Sequence, residues 1–157
     1  MSALSLHMTP RDPGSRAMSV VRITRRAHFS AAHRLYRAEW SDERNAEVFG
    51  DCANPNWHGH NYELRITLEG PVDPDTGFVM DLKELKQILR ARVLQDVDHR
   101  NLNTEVPWLE GVIPSTENLA VAIWGRIDDS LPSGVSLASV IVHETNMNSV
   151  EYTGPRE

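Results

Sequence analysis

The chain has 157 residues, 40% hydrophobic and 24% charged, with a formal net charge of −6, the make-up of a soluble globular protein large enough for a real core. The acidic balance argues against nucleic acid as a general partner, since domains that bind it are usually basic, and leaves room only for a local basic pocket holding a small anion. One cysteine, Cys52, excludes an internal disulfide and fits a reducing, cytoplasmic location, and no apolar run approaches the ~18 residues of a membrane span, so no membrane partner is expected.

Residues 1–17 lack periodicity and the apolar stretch of a signal peptide, so they read as a disordered tail or as sequence upstream of a start at Met18. The remainder, 18–157, reads as one domain. A strand is expected over about 20–32. A polar connection rich in Trp follows over 34–57, and connections of that length tend to carry function. A second strand runs over about 58–70, and Pro71, Pro74 and Gly77 mark a turn region. Asp81, with Glu84 three positions on, opens a helix to about Val97 with Leu82, Leu85, Ile88, Leu89 and Val93 on one face. A loop then holds Asp98-His99-Arg100-Asn101-Leu102-Asn103. Ser115 or Thr116 caps a second helix with the stripe Leu119, Ala122, Ile123, Ile127 and Leu131, stopped by Pro132 and Gly134. A third strand over about 136–144, a turn at Asn146-Met147-Asn148 and a last strand over 149–153 form a hairpin. The order ββααββ predicts an α+β domain: a four-stranded antiparallel sheet with two helices on one face. Its two open edges invite symmetric pairing between copies.

Side chains on a strand alternate between faces. In His58-Gly-His60-Asn-Tyr62-Glu-Leu64-Arg-Ile66-Thr-Leu68 both histidines therefore share the face of Tyr62, Leu64, Ile66 and Leu68. In the first strand Ile23, Ala27, Phe29, Ala31 and His33 share a face, with Arg25 as the exception. Antiparallel pairing of the two strands brings His33 beside His58 and His60. Three histidines without a fourth protein ligand describe a catalytic zinc site whose open position takes water or substrate.

Around that site, Cys52 can be a fourth ligand, a small buried hydrophobe, or a nucleophile or base, since a thiolate is favoured near a cation. Asp98-His99 is either a polar helix end or a proton relay in which the carboxylate orients the imidazole. Glu144 ends an apolar strand, either facing solvent or gripping the N–H groups of a ligand.

Taken together, Phe29-Ser-Ala-Ala-His33, Cys52-Ala-Asn-Pro-Asn-Trp-His58-Gly-His60-Asn-Tyr62, Asp98-His99-Arg-Asn-Leu102, Ser115-Thr-Glu-Asn118 and His143-Glu144-Thr145 resemble the 6-pyruvoyltetrahydropterin synthase family, which includes the 6-carboxytetrahydropterin synthases of queuosine biosynthesis. The resemblance runs from about Val20 to Gly154. It implies the tunnelling fold, assembled as trimers that stack into a homohexamer with active sites between subunits. It implies His33, His58 and His60 as zinc ligands, Cys52 as the catalytic cysteine with Asp98 and His99 as acid–base partners, and Glu144 as the pterin anchor. Thr116, Glu117 and, less directly, Ser115 fall where the family helps hold the pterin. The substrate implied is 7,8-dihydroneopterin triphosphate, with Arg34, Arg25 and Arg26 as candidate phosphate-binding cations.

Two products compete within that reading: 6-pyruvoyltetrahydropterin, or 6-carboxytetrahydropterin with release of acetaldehyde. The five-residue spacer Ala53–Trp57 between Cys52 and His58 resembles the pyruvoyl-forming members and favours the first. A non-catalytic zinc-stabilised binding protein is opposed by the open three-histidine site, Cys52 and Asp98-His99. A metal-dependent hydrolase would need a carboxylate base at the metal, and no H-E-x-x-H motif is present.

Overall fold

Two long strands, β1 (Val20–His33) and β2 (His58–Pro71), pair antiparallel along their whole length, from Val20 opposite Pro71 to His33 opposite His58. The computed structural model describes residues 19–156; the expectation for 1–17 lies outside them. The alternation read from the sequence holds. Phe29, Ala31 and His33 of β1 and Tyr62, Leu64, Ile66 and Leu68 of β2 are buried on one face. Each fully buried Leu, Ile or Phe contributes roughly 1.5–3 kcal/mol, so this face fixes the strand register: a one-residue slip would expose the whole set. The opposite face is a cross-strand polar ladder, with Arg22 on Glu69 at 2.9 Å, Thr24 on Thr67 at 2.8 Å and Ser30 on Asn61 at 2.8 Å.

The sheet has five strands rather than the expected four, in the order β3-β1-β2-β4-β5. β4 (Ser136–His143) pairs antiparallel with β2, and β5 (Ser149–Tyr152) with β4. The extra strand, β3 (Arg100–Asn101), runs parallel to β1 beside Ala31 and Ala32. Two residues carry no readable alternation. This strand exists because backbone N–H groups of the segment reach the β1 edge, His99 to Ser30 O at 2.6 Å and Leu102 to Ala32 O at 2.8 Å.

The connection 34–57 contains a helix that hydrophobic periodicity does not announce, α1 (Asp42–Phe49), capped by Ser41 and followed by a 3₁₀ turn, Gly50–Ala53. Its buried residue is Asn45, whose side chain accepts from Arg37 N at 2.8 Å and donates to Arg37 O at 2.9 Å. A polar plug, not an apolar stripe, docks it.

The expected helix after Asp81 begins as α2 (Leu82–Leu89), passes through a π-helical turn, Arg90–Leu94, and ends in α3 (Gln95–Val97). Asp81 caps it by accepting from Lys83 N at 2.8 Å. Leu82, expected on the apolar stripe, stays 42% exposed and lines a surface groove with Phe78 and Val79. α4 (Thr116–Asp128) packs against β4 and β5, burying Leu119, Ile123 and Ile127. Reciprocal bonds, Arg92 Nε to Arg126 O at 3.1 Å and Arg126 Nε to Arg92 O at 2.9 Å, tie the π-helical turn to α4. Both helical layers cover the apolar face, so the strand ends carrying the histidines open beside them.

Candidate metal centre and active site

His33, His58 and His60 converge where β1 ends and β2 begins. Their ring centroids lie 4.4 Å (33–58), 5.1 Å (33–60) and 5.0 Å (58–60) apart. One nitrogen from each falls within 4.8 Å of the others. Gly59 permits this hairpin-like approach: a Cβ there would stand 3.0 Å from the Ala31 carbonyl oxygen.

The donor set fits a metal ion. The Nε2 atoms of His33, His58 and His60 are buried with no hydrogen-bond partner, which is costly unless something else engages them. His33 is fully buried, and its Nδ1 stands 2.8 Å from the Pro114 carbonyl oxygen. A carbonyl only accepts, so Nδ1 carries the proton and donates. That fixes the tautomer and leaves the Nε2 lone pair facing the cluster. Burial, reinforced by the neighbouring imidazoles, lowers the pKa of His33 and of His58, favouring the neutral rings that bind metals.

Tyr62 floors the cluster. It stacks on Phe29 at 4.8 Å, meets His60 edge-on at 5.5 Å, and sets its hydroxyl 3.4 Å from His33 Nδ1. Burial pushes its phenol pKa upward, with Glu144 and Cys52 adding to the shift, so it stays a neutral wall. Strand alternation places Tyr62 on this face without marking it as part of the site; its signal is its position two residues beyond His60.

Glu144 follows β4 directly and turns toward the histidines. Its Oε1 lies 3.6 Å from His33 Nε2 and 3.7 Å from His60 Nε2, and accepts from Thr116 Oγ1 at 3.0 Å. Thr116 is buried at the first turn of α4. Ser115, one residue earlier, spends its hydroxyl capping that helix on Asn118 N at 3.3 Å. Glu117 is exposed on the same first turn. So of the three neighbours Ser115, Thr116 and Glu117, only Thr116 reaches Glu144.

Cys52 is half-buried in the 3₁₀ turn after α1. Burial first, then the Glu144 and Asp51 carboxylates, raise its thiol above the ordinary value. Its loop is held from β1's end: Leu35 N donates to Cys52 O at 2.8 Å, and Arg34 Nε donates to Ala53 O at 2.7 Å. Arg34 also lies over the Tyr36 ring at 4.3 Å. Arg26 is engaged by Glu63, on the polar face of the sheet.

Asp98 and His99 sit at the β1 edge, just before β3. Asp98 Oδ1 accepts from Ser30 N at 2.9 Å and faces His99 Nδ1 at 3.0 Å. These bonds, the one from Ser30 foremost, hold its carboxyl below the usual range. His99 adopts φ 58, a left-handed conformation unusual for a side-chain-bearing residue, and its ring is exposed. It shares an open cleft of about 520 Å³ with Ser30, His60, Asn61 and Arg100. Cys52 does not line that cleft.

Comparison with known proteins identifies the family of the chain. The family model described as 6-pyruvoyl tetrahydropterin synthase matches residues 22–155. The human 6-pyruvoyl tetrahydrobiopterin synthase is 48% identical over 132 residues, covering 84% of this chain and 90% of that protein. The solved structure of the Caenorhabditis elegans 6-pyruvoyl tetrahydropterin synthase superposes with a TM-score of 0.82 at 41% identity, covering 88% of this chain and 98% of that one. A dihydroneopterin monophosphate aldolase of Pyrococcus furiosus is 35% identical over 83% of this chain and 95% of that protein. The chain therefore belongs to the 6-pyruvoyl tetrahydropterin synthase family. It is a lyase of pterin chemistry.

Proposed function

We propose that this protein converts 7,8-dihydroneopterin triphosphate to 6-pyruvoyltetrahydropterin with release of triphosphate, using zinc at His33, His58 and His60. The observation that carries it is the convergence of one nitrogen from each of the three histidines, with the partnerless Nε2 atoms of His33 and His60 beside the Glu144 carboxylate. Zinc held there would supply Lewis acidity toward the side-chain hydroxyls of the substrate. The Pro114 bond keeps His33 oriented as a ligand. Glu144, steadied by Thr116, holds the amidine-like N–H edge of the pterin. Cys52 takes a proton from the carbon side chain once a nearby cation has lowered its raised thiol pKa. His99, oriented by Asp98, returns a proton to the ring.

His60 and His99 border one cleft while Cys52 lies outside its lining, which suits a site completed by a second copy. We accordingly read the working form as a cytoplasmic homohexamer, a dimer of trimers, with 18–157 as one catalytic domain. The 6-carboxytetrahydropterin product is the alternative outcome. The curated relatives above 40% identity carry the pyruvoyl name, which favours the first. Incubating the pure, zinc-loaded protein with dihydroneopterin triphosphate and weighing the products tests it. Acetaldehyde released in step with 6-carboxytetrahydropterin would refute the assignment, and no consumption of substrate would refute catalysis itself.

A further inference from the structure

We infer that the triphosphate arm of the substrate lies in the cleft between β1 and the π-helical turn that follows α2, held by Lys86 and Arg90. This rests on the reaction proposed above and names the cations that its substrate needs.

A triphosphate is a polyanion, best held by cations that no carboxylate has already engaged. The chain is acidic, with a net charge of −6, and most of its basic side chains are engaged. Arg26 and Arg65 share Glu63, and Arg34 braces Ala53 O and Tyr36. Arg22, Arg100 and Arg126 pair with Glu69, Glu105 and Asp96. Among the described residues, the cations with no carboxylate in ion-pair reach are Arg25, Lys83, Lys86, Arg90, Arg92 and Arg156. Apart from Arg156, they lie on α2 and its π-helical turn, or on the helix-facing side of β1.

Two of them line one cleft. Lys86 and Arg90, four positions apart on one helical face, border about 400 Å³ together with His28, Leu94, Gln95 and Asp98. Asp98 is the one carboxylate in that lining, and its Oδ1 already accepts from Ser30 N and faces His99. Lys86 and Arg90 are therefore left to a ligand, and His28 and Gln95 carry further N–H donors. The cleft also adjoins the site. Asp98 borders it, while His99, the next residue, borders the 520 Å³ cleft that contains His60. A pterin served by His99 has these cations beside it for its phosphates.

The test is calorimetric titration of the full-length, zinc-loaded protein with inorganic triphosphate. Lys86→Ala and Arg90→Ala should each weaken binding about tenfold or more, and the double variant about 10²-fold. Lys86→Arg keeps the charge and should restore most of it. Lys83→Ala removes the same charge from α2 outside the cleft, so it should match wild type; a loss as large as that of Lys86→Ala would reduce the effect to general charge and overturn the site. Triphosphate that binds wild type and double variant equally is held by the zinc or elsewhere, and overturns it too. Dihydroneopterin, which lacks the phosphates, should bind both proteins alike; a matching loss for it would make the effect structural and overturn the assignment. With the pterin triphosphate, kcat/KM of the double variant should fall about 10²-fold, and normal turnover at low substrate would remove the subsite while leaving the reaction. Triphosphate binding that depends on Lys86 and Arg90 in a protein that consumes no pterin would uphold the subsite and remove the reaction.

Discussion

Arg34 is predicted to act through the loop that carries Cys52, not through the triphosphate. Its Nε donates to Ala53 O at 2.7 Å, its guanidinium lies 4.3 Å from the Tyr36 ring centre, and its side chain is only 15% exposed. Replacing it with alanine removes a charge-assisted hydrogen bond of about 1.5–3 kcal/mol and a cation–π contact of about 0.5–1 kcal/mol. The expected loss is about 2–4 kcal/mol, which for a domain of this size lowers Tm by roughly 5–15 °C. Freed from this brace, the Cys52 loop shifts. A displacement near 1 Å at a reacting group costs about 10²-fold in rate, so kcat should fall by that order with little change in KM. Arg34→Lys should rescue poorly, because a point ammonium cannot both bond Ala53 O and lie flat on Tyr36. Thermal melts and steady-state kinetics of the two variants check this. A normal Tm with intact kcat and a strongly raised KM would refute the brace and return Arg34 to the phosphate.

Cys52→Ala should retain one metal per chain while turnover disappears, and loss of metal with the thiol would make Cys52 a ligand instead. In the metal-free protein, the pH profile of Cys52 alkylation should be displaced upward from that of a free thiol, because burial and then the Glu144 and Asp51 carboxylates raise it; metal loading should move the profile to lower pH. Asp98→Asn keeps an oxygen for Ser30 N but removes the charge facing His99, so kcat should drop about 10²–10⁴-fold, and an unchanged rate would sink the relay. His33 and His58 have folded pKa values depressed below 6.5. Their contribution to the stability of the metal-free protein is therefore full above 6.5 and lost as pH falls from there toward the folded values. Denaturant unfolding followed from neutral to mildly acidic pH should show that decline, and stability rising with acid would contradict it.

The histidine cluster is legible in the chain because it is built from period-two alternation on two strands. A residue's face in a strand is set by its parity, so His58 and His60 had to share the face of Tyr62, and His33 that of Phe29 and Ala31. Antiparallel pairing then brings His33 opposite His58. The helices were legible for a like reason: Asp81 and Ser115 are local caps, and the stripes behind them repeat at helical spacing. What pattern could not supply was contact between distant segments. α1 is docked by Asn45, and β3 by backbone bonds from 99 and 102 to the β1 edge, neither of which leaves an apolar period. Only the folded chain decides that Thr116, not Ser115 or Glu117, meets Glu144 across 28 positions, that Asp98 docks on Ser30, or that Arg34 holds the loop of Cys52. These bonds join loops and element ends, where no repeating geometry ties sequence position to direction. Side-chain parity is fixed by the backbone of one strand; the partner of a hydroxyl or a guanidinium is fixed by where the rest of the chain comes to lie.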